Sequence, residues 1–429
     1  MGIKRWLVVI FAGELLVAFA GALVLRQVYR EVAPDGPGGS PLLWLLTLQF
    51  LPLPLRPVVL VAGGLAVFSV GLWRLLAVLT EPMGSRHGPL VDLVYTRRAL
   101  ARGPRIVAIG GGTGLSTLLR GLKAHTSNLT AIVTVADDGG SSGQLRTELG
   151  LPPMGDIRSC LTALSDSEAT MTGLLQYRFP GRLAEEGTLS GHAVGNLLIA
   201  ALSDMEGGFE AGVRRMNEVL AVRGRVVPAA SVPLNLHAEL LDGSTVEGQS
   251  SIGRAKGIRR VWVTPRQTRA AADALEAIAA ADLIVLGPGS LFTSLLPSLL
   301  LPEIRAAVAD AAAPCIYVSN VATQVGETEG YSLADHLEAL TAHVGFGIVD
   351  VVLANDELGA RAPRDWPASP IAPDLPDAWR GRLRLATGAV VDPDNAHHHD
   401  PGLLAEAVMA LWEGGLQQTD SPTDALRSA

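Results

Sequence analysis

The chain is short of several things that usually announce a function. Its 429 residues include two cysteines, Cys160 and Cys315, and neither has a partner at metal-ligand spacing. Zinc ribbons, iron–sulfur motifs and a disulfide framework are therefore excluded, and both thiols are expected to be buried in a reducing compartment. Aromatic residues make up only 5%, the formal net charge is −8 with a pI near 5.6, and no lysine–arginine block occurs beyond Gly103. A basic, aromatic nucleic-acid face has no support in such a composition, so no nucleic-acid partner is expected. No Ser-His-Asp order, activated cysteine or Schiff-base lysine stands out, so a covalent catalyst has no visible nucleophile.

Charge is also scarce at the N-terminus, where the hydrophobic excess (48% of residues; mean hydropathy +0.31) is concentrated. The run Trp6–Leu25 is about long enough to cross a bilayer, broken only by Glu14. A second run from Pro57 to Trp73 reaches Leu79 if Arg74 snorkels. A cleaved signal peptide competes for the first run, but its apolar core is long for a signal and a second span follows. The expectation is a membrane hairpin over residues 1–80, with spans at about 6–25 and 57–79. Lys4 and Arg5 precede it and Arg86, Arg97, Arg98, Arg102 and Arg105 follow, which puts both ends in the cytoplasm; Arg26, Arg30 and Arg56 in the connector weaken the asymmetry without reversing it. PLLWLLTLQFLPLPL between the spans reads as interfacial. Residues 81–103 form a polar linker, 104–415 the main domain and 416–429 a tail expected to be disordered.

The stretch that organises the rest runs from Arg105 to Arg158. RIVAI is a β-branched run of the kind that forms a buried parallel strand. It stops at Gly110, Gly111 and Gly112, and Thr113–Gly114 leads into an apolar-periodic helix from about Leu115. A strand ending in glycines at a helix N-terminus gathers N–H groups and a positive dipole end at one point, which suits an anion. GGGTG is neither the dinucleotide GxGxxG nor a P-loop, and alone it is equally a simple chain reversal. A second strand, AIVTV, ends in Asp137, Asp138, Gly139, Gly140, Ser141 and Ser142. Paired aspartates there are either a solvated turn with an N-cap or ligand groups at a strand's carboxyl end. A third polar turn, Gly155–Asp156, follows. Asp156 is by itself the N-cap of helix 157–165.

Helices are expected at Glu168–Tyr177 and in HAVGNLLIAALSDM and FEAGVRRMNEVLAV. VVPAA, LNLHAEL, STVEGQSSI and RRVWVTP read as short strands of an antiparallel excursion. The parallel pattern resumes with helix Thr268–Ala280, strand DLIVL and loop GPGS. Helices near Leu291–Leu296 and Pro302–Ala312, strand CIYVS, helix Leu333–His343 and strand VDVVLAN then follow. APRDWPASPIAPDLPDAW reads as a surface excursion, and a strand near GAVVD and helix LLAEAVMALW close the domain. The fold class is thus α/β: a doubly wound, mostly parallel sheet with a small antiparallel insertion, preceded by the transmembrane hairpin.

Gly287, Pro288, Gly289 and Ser290 form another strand-end cradle; with Gly110–Gly114 it suggests two anion sites at one sheet edge, economical for a diphosphate. Ser290 either caps its helix or also touches ligand. Asp137 and Asp138 would coordinate Mg²⁺ beside that diphosphate or accept hydrogen bonds from sugar hydroxyls. His192 and Asn196 share one face at a helix start, a polar pair on an apolar helix. Asn320 follows a strand, and Thr323, Gln324, Glu327 and Thr328 belong to a loop suited to closing over a ligand. The run His397–His399 invites a zinc reading, but consecutive side chains cannot converge on one ion, and a loop before helix start Asp400–Pro401 is expected instead.

GGGTGLSTLLRGL, VTVADDGGSSGQLR, PPMGDIRSCLTAL, SGHAVGNLLIAAL, ADLIVLGPGSLFTSLLPSLL and NVATQVGETEGYSLADHLEAL together resemble the bacterial gluconeogenesis-factor (YvcK-like) family. That family is itself similar to the 2-phospho-L-lactate transferases (CofD-like) of deazaflavin cofactor synthesis. The resemblance spans Arg105 to Asn355. It implies a Rossmann-like, CofD-like fold, with Asp137, Asp138 and Asp156 at the ligand. It also implies a UDP-sugar ligand such as UDP-N-acetylglucosamine, and roles in gluconeogenic carbon flux, cell shape and envelope synthesis. A regulatory protein partner and a homodimer are expected with it. Here PPMGD stands for PPPGD, NVATQVGET for NLMTQPGET, and Gln249 stands where a carboxylate is usual. Three readings follow: a membrane-tethered UDP-sugar sensor, a Mg²⁺-dependent transferase, and, least supported with so few spans, a transporter.

Overall fold

The structure is a computed structural model that describes residues 98–139, 146, 149–179, 191–360, 368–379 and 381–414, with scattered positions among the first 70. The chain divides into two units, Met1–Leu93 and Val94–Ala429. In the first, the described positions Glu14, Ala18, Gly21 and Ala22 are helical, as are several between Leu55 and Val70. The expected spans lie mostly outside the described residues. Among the described residues, no single helix is long and apolar enough to cross a membrane. The expected tail, 416–429, also lies outside them.

The second unit begins with strand β1 (Ile106–Gly110), helix α1 (Gly112–Leu122) and strand β2 (Leu129–Val133). Both strands are buried at every position, as strands covered on two faces must be. In α1, Leu115, Leu118, Leu119 and Leu122 recur at helical spacing and all are buried. Helices α2 (Gly155–Leu164), α3 (Glu168–Gln176), α4 (Val194–Met205) and α5 (Phe209–Val219) lead to β3 (Arg225–Pro228). VVPAA is therefore not part of the antiparallel excursion: β3 pairs parallel with β2, Thr130 opposite Arg225. As an edge strand it tolerates Pro228, and Asn217 of α5 closes its outer rim, donating Nδ2–H to the Val226 carbonyl and accepting the Val226 N–H.

The antiparallel insertion is β4 (Asn235–Leu240), β5 (Thr245–Glu247) and β6 (Ile258–Thr264), in the order β5-β4-β6. Its expected strand STVEGQSSI is cut by Gly248, after which Gln249–Ile252 turns as short helix α6. Helix α7 (Ala272–Ala279) and β7 (Leu283–Leu286) return the chain to the main sheet. A π-helical turn, Leu291–Leu295, runs into α8 (Leu296–Leu299), then α9 (Pro302–Ala309) and β8 (Cys315–Val318). Helix α10 (Leu333–Val344) starts in a capping box between Ser332 and Asp335 and leads to β9 (Val351–Asn355) and β10 (Arg384–Gly388). A two-stranded hairpin, β11 (Val391–Asp392) and β12 (Asn395–His399), precedes α11 (Pro401–Glu413). Asp400 caps α11 by accepting the Leu403 N–H at 2.8 Å, with Pro401 in the first turn.

The main sheet has seven parallel strands in the order β10-β9-β8-β7-β1-β2-β3. The chain winds outward from β1 through β2 to β3, then restarts on the other side of β1 with β7 and proceeds through β8, β9 and β10. The direction of winding reverses between β1 and β7, and such switch points open a crevice beyond the carboxyl ends of the strands. The segment after residue 367, expected as surface, contributes Ile371, Leu375 and Trp379 to the core. Three large apolar side chains outweigh the prolines between them.

Candidate functional site at the switch point

Strands β1 and β7 stop in register, Ile109 opposite Leu286, so the loops after them leave the sheet side by side. Gly112 adopts φ +64°, a left-handed conformation natural to glycine, as α1 starts. A Cβ on Gly114 would lie 2.5 Å from the Pro288 carbonyl oxygen, so only glycine lets the loops approach this closely. Between them lies a cleft of 460 Å³, lined by Gly111, Gly112, Thr113 and Gly114 on one side and Pro288, Gly289 and Ser290 on the other. Asn320, Thr323 and Gln324 line it as well, along with Asn395, His397, His398 and His399.

The two loops are not equivalent. The N-cap of α1, Gly111, has no side chain to cap it, and the first turn carries no acidic residue of its own; Asp156 takes the Gly112 N–H from behind, and Thr113 and Gly114 of the same turn line the cleft. The helix after Gly287–Ser290 is closed by the protein itself. Glu327 accepts the Phe292 N–H at 2.7 Å, the Thr293 N–H at 3.1 Å and the Thr293 hydroxyl at 3.0 Å. Burial pushes the Glu327 carboxyl up, and those donors oppose the shift. Of the two expected anion sites, the one after Gly287–Ser290 already holds the Glu327 carboxylate on two N–H groups, whereas in the first turn of α1 only the Gly112 N–H is taken by a carboxylate, that of Asp156.

Glu327 and Thr328 are 3% and 0% exposed, and Gln324 N–H donates to the Thr328 hydroxyl. The segment expected to close over a ligand is thus a buttress, because its polar side chains find partners inside the fold. Asn320 Oδ1 accepts the Gly289 N–H at 3.2 Å, and Gln324 Nε2 donates to Ser290 Oγ at 2.8 Å. Both hold the second loop while facing the cleft. Ser290 does not cap its helix with its side chain. Thr323 sits at the rim with its hydroxyl accepting the Ser369 N–H.

Behind the glycine loop lie the carboxylates. Asp156 stands within the first turn of α2, whose N-cap is Met154. Its expected capping role is corrected: its carboxylate accepts the Gly112 N–H instead. Its Oδ2 is shut off from solvent without a hydrogen-bond partner among the described residues, as is Thr134 Oγ1. A side chain on Gly111 would collide with Asp156 Oδ2 and Thr134. Orphaned polar atoms of this kind gather where a ligand or water completes a site. Burial, and then the nearby Asp137, push the Asp156 pKa up from 3.8 to about 7. Asp137 is also raised, chiefly by burial, while its carboxylate accepts the Gly139 N–H at 2.9 Å.

Asp138 is drawn toward the antiparallel insertion, where it accepts the Ser250 N–H at 2.9 Å. Asp138 Oδ1 is thus taken by the insertion, and Asp156, close enough to Asp137 for that charge to raise its pKa, is a further carboxylate expected at the ligand. Among the described residues no group of three His, Cys, Asp or Glu side chains converges to hold a metal. Two carboxylates suffice for Mg²⁺ when ligand phosphates and waters complete the octahedron, and the orphaned Asp156 oxygen fits that role. Ser141 and Ser142 lie outside the described residues.

His192 precedes α4 and Asn196 lies in its first turn, so they do not share the expected helical face; both are buried. Asn196 Oδ1 accepts a hydrogen bond from Arg158 Nη1 at 2.8 Å, which makes it a support for that arginine. Arg158 and Arg146 are cations beside the carboxylates Asp156 and Asp137, outside the lining of the cleft, and were missed in the sequence. Their charge counts in the fields of Asp156 and Asp137. Arg146 is anchored by the Asp137 carbonyl at 3.3 Å and by Asn235. His397–His399 form strand β12, not the expected loop, because pairing with β11 extends them along the cleft. Cys160 and Cys315 are buried as expected and are not joined in a disulfide, and burial pushes the Cys160 thiol up.

Residues 106–376 match the family model for 2-phospho-L-lactate transferase CofD. A putative gluconeogenesis factor from Nostoc is 41% identical over 97% of this chain and 91% of its own length. The gluconeogenesis factor of Bacillus subtilis is 46% identical over 68% of this chain and 86% of its own. The chain belongs to the gluconeogenesis-factor family. A crystal structure of a UPF0052 family member from Bacillus halodurans has 44% identity and a TM-score of 0.66, covering 72% of this chain and 99% of that one. The gluconeogenesis-factor fold is thus the CofD-like α/β sheet described above, and the family match covers the cleft, the acidic loops and Glu327, but not β12.

Proposed function

We propose that this gluconeogenesis-factor family member is a UDP-sugar-binding regulator, tethered by its first 80 residues to the inner face of the bacterial cytoplasmic membrane. It would couple carbon flux through gluconeogenesis to cell shape and envelope synthesis. The observation that carries the reading is the first turn of α1, whose Thr113 and Gly114 line the switch-point cleft, a cleft with no carboxylate among its described lining residues. The ligand's diphosphate sits against the first-turn N–H groups of α1. Its hydroxyls reach toward Asp137 and Asp138. No nucleophile is needed for such a role, and ligand-dependent ordering of the cleft would change the surface a regulatory protein meets. The exposed Leu198 and Met205 of α4 offer a face for a homodimer.

The second reading, favoured by Asp137 and Asp156, is a CofD-like transferase. Mg²⁺ held by those two carboxylates would neutralise a nucleotide diphosphate while an acceptor hydroxyl displaces the nucleotide. The residues then serve by binding and orienting: the glycine loop holds phosphate, and Arg158 holds Asp156 in place. Calorimetric titration of the full-length chain with UDP-sugars and guanosine diphosphate compounds, with and without Mg²⁺ and with product analysis, separates the two. UDP-sugar binding without turnover supports the sensor. Strictly Mg²⁺-dependent transfer of the donor's phospho-group to an acceptor hydroxyl, with GMP as the released leaving group, supports the transferase, and binding of neither class overturns both. Sedimentation of the chain with membranes, lost on deleting residues 1–80, tests the tether.

A further inference from the structure

An anion entering the cleft meets an unusual shortage of cations. Among the described residues that line it, none is Lys, Arg, Asp or Glu; the titratable side chains there are His397, His398 and His399. A diphosphate needs donors on more than one side. The α1 terminus supplies one wall, but the opposing loop does not supply the other: its Gly289 N–H is spent on Asn320, and the following helix end is spent on Glu327. Across the cleft, beside the neutral side chains of Ser290, Asn320, Thr323 and Gln324, stands strand β12. The hairpin presents its histidines differently. His399 is buried, with Nε2 3.1 Å from the Ser319 carbonyl oxygen, so it donates inward and fixes the strand to the end of β8. His398 is exposed at the cleft. Asp392 accepts the Asp394 N–H within the hairpin turn, and Arg120 of α1 is paired with Glu168.

We propose that β12 is the second wall of the anion subsite, with the His398 imidazole donating an N–H to a phosphate oxygen held from the other side by α1. This rests on the ligand reading above. It adds the residue that completes the phosphate contact in this chain, and that residue lies beyond residues 106–376, the part matched by the 2-phospho-L-lactate transferase model. The arrangement explains why a run of histidines occupies an extended strand pinned at its buried end. His399 anchors, and His398 is held at the mouth.

The test uses the full-length chain with inorganic pyrophosphate and a UDP-sugar as probes in calorimetric titrations. A hydrogen bond to a charged oxygen contributes roughly tenfold or more in affinity. His398→Ala is therefore expected to weaken both probes by about tenfold or more, whereas His398→Gln, which keeps an N–H donor, stays within about threefold. Thermal unfolding of both variants should match the wild type, because the side chain is exposed. Unchanged affinity in His398→Ala overturns the proposal while leaving the ligand reading intact. Pyrophosphate binding that depends on His398, without UDP-sugar binding, upholds the subsite and overturns the UDP-sugar reading. Binding of neither probe by the wild type overturns both. Equal weakening by His398→Ala and His398→Gln also overturns the donor role.

Discussion

Replacing Asp156 by Asn removes a charge from the least hospitable place in the site while preserving shape and an acceptor for the Gly112 N–H. In the folded chain its pKa is raised from 3.8 to about 7, first by burial and then by repulsion from Asp137. In the unfolded chain the group returns to the ordinary carboxylate range. The folded state therefore holds a proton that the unfolded state has lost between about pH 4 and 7, and stability falls as pH rises through that window. Above pH 7 the penalty is complete. At ~1.36 kcal/mol per pH unit it has a ceiling of about 4 kcal/mol. Asp156→Asn should therefore be more stable than the wild type at pH 8, by as much as about 4 kcal/mol, and little different at pH 3.5. The decline between pH 4 and 7 should be shallower, with Asp137 and Glu327 leaving a residual slope. Urea unfolding across pH 3.5–8 measures this directly. Parallel pH profiles for the two proteins, or a less stable variant at pH 8, would refute the reasoning. A carboxyl kept at such a cost belongs to a site that uses it. Accordingly, Mg²⁺ with a nucleotide diphosphate should raise the wild-type unfolding temperature at pH 8 more than that of the variant.

Two further substitutions probe the loops. Gly114→Ala drives a Cβ to 2.5 Å from the Pro288 carbonyl oxygen and should cost ~1–3 kcal/mol while weakening nucleotide binding; wild-type affinity in a folded variant would contradict the cleft geometry. Glu327→Ala strands the Phe292 and Thr293 N–H groups and should lower stability by about 3 kcal/mol, whereas Glu327→Gln keeps an acceptor and loses less; equal thermal unfolding of all three proteins would show that Glu327 is no buttress.

Much of the fold was legible because its signals are local. RIVAI, AIVTV, DLIVL, CIYVS and VDVVLAN are continuous apolar runs, and a fully buried parallel strand requires that pattern. The misreadings have a common cause. VVPAA reads as a strand of the antiparallel excursion, yet it is a parallel edge strand of the main sheet, where the missing N–H of Pro228 is tolerated and Asn217 closes the rim. His397–His399 carry no strand signal; pairing with β11 extends them. The glycine loops were readable as an anion site, but nothing in TQVGETEG marks Glu327 as the carboxylate that closes one of them.

The sequence by itself determined the membership in the gluconeogenesis-factor family, the α/β class and the placing of glycine and aspartate loops at strand ends. These follow from spacing along the chain and from side-chain volume and polarity, which every segment carries with it. Tertiary structure alone decided which helix terminus Glu327 closes, which aspartate stands beside Asp137, and that a strand of histidines faces the glycine cradle. Those outcomes depend on groups far apart in sequence meeting in one low-dielectric place. There Glu327 reaches Phe292, Asp156 reaches Gly112, and burial changes what a carboxylate costs.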